Sequence, residues 1–86
     1  MISKFEYTIT DPNGLHARPT GRLVKKAQEF SEHIKIECHG KSAELTRLLA
    51  VMGLGVRCGD TVTITVDGKN AIETATELQK FFKENF

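Results

Sequence analysis

At 86 residues, 40% hydrophobic and 27% charged, the chain has the composition of one small globular domain, expected over residues 1–86, and not of a disordered segment. Its 12 basic and 11 acidic residues leave a net charge of +1 with no basic block, which excludes the basic face that nucleic-acid binding requires. No apolar run nears the roughly 20 residues that cross a bilayer, so no direct membrane insertion is expected.

The segment Met1 to Glu6 lacks the apolar stretch of a signal peptide, so a cytoplasmic protein is expected, with Cys38 and Cys58 as reduced thiols. Lys4 to Ile9 alternates polar and apolar, which points Phe5, Tyr7 and Ile9 to one side of a predicted strand. Asp11-Pro12-Asn13-Gly14 ends it, because proline brings no ladder N–H and Asn-Gly tolerates positive φ. After Gly14 to Pro19, the residues Thr20, Leu23, Val24, Ala27 and Phe30 recur at helical spacing, with Arg22, Lys25, Lys26 and Glu29 on the opposite side. Proline suits a first helical turn, and the residue before it is biased away from α geometry. Local rules therefore start this helix at Pro19 and leave His16 and Arg18 in the preceding loop.

His33 to Cys38 alternates again, His39-Gly40 is a turn candidate, and a second short strand through Ala43 and Leu45 completes a hairpin. Thr46 to Gly53 reads as a short helix in which Leu48, Leu49, Val51 and Met52 are too many apolar residues for one stripe. Part of that surface is expected to be an exposed contact patch. Gly53, Gly55 and Gly59 break the chain before Thr61 to Val66, the most regular alternation in the sequence. Asp67-Gly68 turns the chain, and Asn70 with Glu73 resembles a helix-start box. Ala71, Ala75, Leu78 and Phe82 then mark one face of a terminal helix. The order β-α-β-β-α-β-α, with alternating strands, predicts an α+β open-faced β-sandwich: a four-stranded antiparallel sheet covered on one face by three helices.

Chemistry concentrates at Gly14-Leu15-His16-Ala17-Arg18-Pro19. On residue type alone a loop histidine is most often incidental. Here it precedes a helix start, where unpaired N–H groups and about half a positive charge favour an anion. Arg18 stays cationic beside any oxyanion. Imidazole titrates near neutrality and adds reactivity to that binding.

Other constellations are weaker. His33 and His39 lie on the order of 20 Å apart along a presumed strand. Cys38 and His39 are neighbours expected to point to opposite faces, Cys58 has no nearby ligand, and so no metal site is expected. The glycines at 53, 55 and 59 form no Walker loop, and no cofactor is called for.

Gly14-Leu15-His16-Ala17-Arg18-Pro19 resembles the active-centre motif of the HPr family, the histidine-containing phosphocarriers of the bacterial phosphoenolpyruvate-dependent sugar phosphotransferase system. The resemblance extends to Gly40-Lys41-Ser42-Ala43, to Val51-Met52-Gly53-Leu54-Gly55, to Gly59-Asp60 and to the length itself. It implies that His16 accepts a phosphoryl group on its pros nitrogen, Nδ1, from enzyme I and passes it to an enzyme IIA domain. The protein would then be a stoichiometric carrier, expected to be a monomer, and not a free-standing enzyme. Arg18 would steady the transferring charge, and the N–H groups of Ala17 and Arg18 would receive the phosphoryl oxygens. Family structures begin the first helix nearer Ala17 than the local rule does. Thr20, Gly21, Leu48, Leu49 and Met52 are the expected partner-binding surface, with a core role for Leu48 as the competing reading.

One departure stands out. Many Gram-positive members carry a regulatory serine where this chain has Arg47, and Thr46 is one residue out of register, which puts ATP-dependent regulatory phosphorylation in doubt. Thr20 and Gly21 replace the small alanines common after the motif. An HPr-like regulatory module that acts by docking, or a nitrogen-branch phosphocarrier, is the alternative reading.

Overall fold

Alternation along each strand decides how the sheet meets the helices. The computed structural model describes all 86 residues, Met1 to Phe86. Strands β1 (Ile2–Thr8), β2 (His33–Cys38), β3 (Lys41–Glu44) and β4 (Thr61–Asp67) are interleaved with helices α1 (Ala17–Ala27), α2 (Leu48–Met52) and α3 (Ala71–Asn85). The four strands form one antiparallel sheet in the order β1-β4-β2-β3. The expected architecture is the one observed.

Register shows what the period of two accomplishes. Phe5 pairs with Ile64, Tyr7 with Val62, and Ile36 with Ile64, so one face gathers Phe5, Tyr7, Ile34, Ile36, Val62, Ile64 and Val66. The other face carries Lys4, Glu6, Lys35, Glu37, Thr63 and Thr65 and is left uncovered by helices. Helix α3 lies over β1 and β4, and α1 packs beside α2 and α3. Phe82 is fully buried, with its ring 6.1 Å from Phe5, 5.5 Å from Tyr7 and 5.5 Å from Phe86. These are edge-on and tilted contacts of the kind aromatic quadrupoles favour. Ile9 and Leu45, just past the ends of β1 and β3, are buried in the same core.

Three local readings need correction. Helix α1 begins at Ala17, two residues before Pro19, and His16 is its N-cap. Proline is accommodated at the third helical position because that N–H has no intrahelical acceptor in any case, and the bias against α geometry at Arg18 yields to packing. At the start of α3, Asn70 makes no side-chain cap and Glu73 does not reach back. Glu32, from the loop before β2, takes the Asn70 N–H at 3.2 Å and the Thr74 hydroxyl at 2.8 Å instead. Cys38 and His39 do not diverge either. His39 has φ 55° and Gly40 φ 75°, the paired left-handed residues of a tight hairpin turn. That turn breaks the strand alternation and brings His39 back beside Cys38.

Candidate functional site

The segment before α1 is built from a turn that only glycine completes. The Gly14 N–H donates to Asp11 O at 2.9 Å and the Asn13 N–H to Asp11 Oδ1 at 2.8 Å, closing Asp11 to Gly14 into a tight loop. Gly14 has φ 62°, and a Cβ there would sit 2.5 Å from Val56 O and 2.8 Å from Arg57 Cα. Both the dihedral and the close approach exclude a side chain. Leu15 is buried, and its N–H donates to Val56 O at 3.2 Å. His16 is thereby delivered to the N-cap position of α1 with its backbone fixed.

His16 is extended, at φ −87° and ψ 163°, and its ring does not cap the helix. Its carbonyl accepts the Thr20 N–H at 3.1 Å, which opens the helical ladder. Its Nε2 lies 3.2 Å from Asp11 Oδ2. An ionised carboxylate only accepts hydrogen bonds, so Nε2 must carry the proton. In the neutral ring the free lone pair is then on Nδ1. Asp11 is suited to this because the Asn13 N–H, the largest influence, holds its carboxyl below the ordinary carboxylate range against the opposing effect of burial, and the His16 ring adds to the lowering.

Beside the ring, the Ala17 and Arg18 N–H groups are taken by no acceptor within the chain, as the geometry of a helix start requires. The Arg18 side chain is exposed and pairs with none of the chain's carboxylates. One imidazole lone pair, two free N–H donors and an unpaired guanidinium thus come from three consecutive residues. This arrangement receives a tetrahedral oxyanion next to a nucleophile.

The residues expected to form a surface separate into two groups. Leu49 is 86% exposed and Leu48 39%, while Val51 is fully buried and anchors the short helix α2. The core role for Leu48 is therefore not what the structure shows. Met52 is partly exposed, and a Cβ added to Gly21 would meet nothing within 4 Å. Thr20, by contrast, is completely buried and lies beneath the surface of α1. Arg47 is the exposed N-cap of α2, and Thr46 is held by its carbonyl, which accepts a hydrogen bond from the Gln28 side chain at 3.0 Å. Asp11 was not singled out from sequence. A carboxylate five residues before a histidine, across a Pro-Asn-Gly turn, was the signal available.

Compared with known proteins, residues 3–84 match the family described as PTS HPr component phosphorylation site. The chain belongs to the HPr family. It is 40% identical over 79 residues to the phosphocarrier protein HPr of Lysinibacillus sphaericus, covering 92% of this chain and 90% of that one. A solved structure of the histidine-containing phosphocarrier protein of a mycoplasma superposes with a TM-score of 0.91 at 34% identity, covering 95% of this chain and 93% of that one. The chain is also 35% identical over 71 residues to the multiphosphoryl transfer protein of Xanthomonas campestris. That match takes in 83% of this chain but only 8% of the larger protein. As an HPr-family phosphocarrier, the chain carries its Gly14 to Pro19 motif at the start of α1. No helix of the fold is long and apolar enough to cross a membrane.

Proposed function

We propose that His16 carries the phosphoryl group, accepting it on Nδ1 from the phosphohistidine of enzyme I and passing it to an enzyme IIA domain of sugar uptake. The observation that supports this most directly is the 3.2 Å contact from His16 Nε2 to Asp11, which leaves the Nδ1 lone pair free on the residue that precedes two unpaired N–H groups. In the forward step the Nδ1 lone pair forms a bond to phosphorus while the donor's P–N bond breaks, its electron pair returning to the donor ring. The His16 ring becomes cationic, keeps its proton on Nε2, and is balanced by the Asp11 carboxylate. Arg18 and the Ala17 and Arg18 N–H groups face the phosphoryl oxygens and lower the energy of the charge that builds there. The resulting phosphoramidate remains a good donor, so the group moves on.

Both partners must bring a histidine to the same ring, which calls for a shared, largely apolar docking surface. Gly21, Leu48, Leu49 and Met52 supply it in this reading, with methionine adapting to more than one partner. Every group of the site comes from one chain, and the reading requires no second copy. Arg47 cannot take a phosphate on oxygen, so the site works here without a serine-based switch at that position.

The test is incubation with phosphoenolpyruvate and enzyme I. A single acid-labile adduct is expected, absent from His16→Ala, and its transfer to candidate IIA domains would identify the branch served. If wild type forms no adduct, or the adduct survives in His16→Ala, the proposal fails.

A further inference from the structure

A second cluster of reactive side chains lies at the end of the sheet where β2 finishes and β4 begins. Cys38, His39 and Asp60 each present one ligand atom, a sulfur, a ring nitrogen and a carboxylate oxygen, and these atoms all lie within 4.8 Å of one another. None belongs to the His16 motif. From this juxtaposition we propose that Cys38, His39 and Asp60 bind one borderline-soft divalent metal ion of the zinc type, leaving a fourth position for solvent.

The geometry is close to what such an ion needs. Zinc takes nitrogen and oxygen at about 2.0–2.2 Å and thiolate sulfur at about 2.3 Å. At tetrahedral angles this sets nitrogen and oxygen about 3.3 Å apart, and sulfur about 3.6 Å from either. His39 Nε2 and Asp60 Oδ2 are already 3.0 Å apart. The required changes in separation are therefore a few tenths of an ångström for that pair and at most about 1.2 Å for the sulfur.

The parts that should be rigid are rigid. Cys38 ends a strand and pairs in register with Lys41 of β3. Asp60 is held in place by the Arg57 N–H, which donates at 2.8 Å to Oδ2, the same oxygen that meets His39. Such a bond orients a metal-ligating carboxylate. His39 is the adjustable member: it is the exposed residue of the hairpin turn, and rotation of its ring disturbs no packing.

The donor chemistry selects the class of ion. A thiolate, an imidazole and a carboxylate suit zinc, whereas calcium and magnesium want oxygen alone. On binding, the Cys38 thiol loses its proton to solvent and the His39–Asp60 hydrogen bond is replaced by two metal bonds. The thiolate and carboxylate charges then sum with the dication to zero, which suits a half-buried position.

Cobalt(II) titration of the reduced protein reads the site directly, because a thiolate ligand gives a charge-transfer band in the near ultraviolet. Wild type and Cys58→Ser are expected to show that band with equimolar cobalt, and equimolar zinc is expected to remove it. Cys38→Ser is expected to lack it. His39→Asn retains a residue that tolerates the left-handed turn and loses the imidazole, so it keeps the reading independent of any folding defect in Cys38→Ser. Its cobalt affinity is expected to fall by about tenfold or more. Equimolar zinc is expected to raise the Tm of wild type and not that of His39→Asn. The proposal is overturned if no band forms, if the band follows Cys58 in place of Cys38, or if His39→Asn binds cobalt as tightly as wild type.

Discussion

In the proposed transfer Asp11 selects Nδ1 as the nucleophilic atom of His16, and the variant that tests this changes one atom. In Asp11→Asn the amide oxygen can still accept the Asn13 N–H, which leaves the NH2 group facing His16 Nε2. A donor in that place favours a lone pair on Nε2 and a proton on Nδ1, the wrong arrangement for transfer. Phosphoryl acceptance from enzyme I is expected to slow by about tenfold or more, the equivalent of one charge-assisted hydrogen bond, with the fold unchanged. Stopped-flow or quench measurements of adduct formation, alongside nitrogen NMR of the ring tautomer, check it. An unchanged rate with unchanged tautomer would assign Asp11 to turn formation alone.

At the scale of elements, two long-range braces hold the helices to the sheet. Phe82 touches Phe5, Tyr7 and Phe86 and has no exposed surface. Phe82→Ala is expected to lose about 3–5 kcal/mol in denaturant unfolding, the usual range for emptying a buried aromatic site. Glu32 is the second brace, joining the start of β2 to the start of α3. The Thr74 hydroxyl, followed by the Asn70 N–H, lowers its carboxyl below the ordinary value of 4.5. The carboxylate form is thus favoured by folding, and its stabilisation is complete above pH 4.5 and lost as the pH falls from there through the folded-state value. Thermal scans of wild type should show Tm falling over that acidic window, and Glu32→Gln should flatten that part of the curve. An identical pH profile in the variant would remove Glu32 as a source of the acid sensitivity.

Across the whole molecule, what could be read locally and what could not divides along a physical line. Thr61 to Val66 and His33 to Cys38 advertise themselves because one buried face imposes a period of two, and Leu78 and Phe82 do so because α3 buries one stripe. The chemistry of His16 and Arg18 is equally local, being set by residues adjacent in the chain. Local patterning misleads where a partner is distant in the chain or where a turn residue takes a left-handed conformation. Asn70 and Glu73 look like a self-contained cap, yet the acceptor is Glu32, 38 residues earlier. Pro19 looks like a helix start only while the packing of Thr20, Leu23 and Val24 is out of view. Cys38 and His39 look divergent until a left-handed turn residue cancels the alternation. The Asp11–His16 contact is short in sequence, but it depends on Gly14 meeting Val56 and Arg57 across the fold.

The strand order also sets a timetable. β1 has a single neighbour in the sheet, β4, and the Thr8–Thr61 contact that ends their pairing spans 53 positions. Bringing such distant segments together costs loop entropy before the pairing offsets it, whereas β2 and β3 meet across a two-residue turn. The His16 loop hangs from the end of β1, so the orientation of the ring depends on that long-range seam being closed. Substitutions that weaken the seam, such as Tyr7→Ala, are expected to accelerate unfolding while leaving the refolding rate nearly unchanged, as read from the two limbs of a chevron plot. A chain emerging from the ribosome would accordingly carry its histidine for most of synthesis without being able to use it.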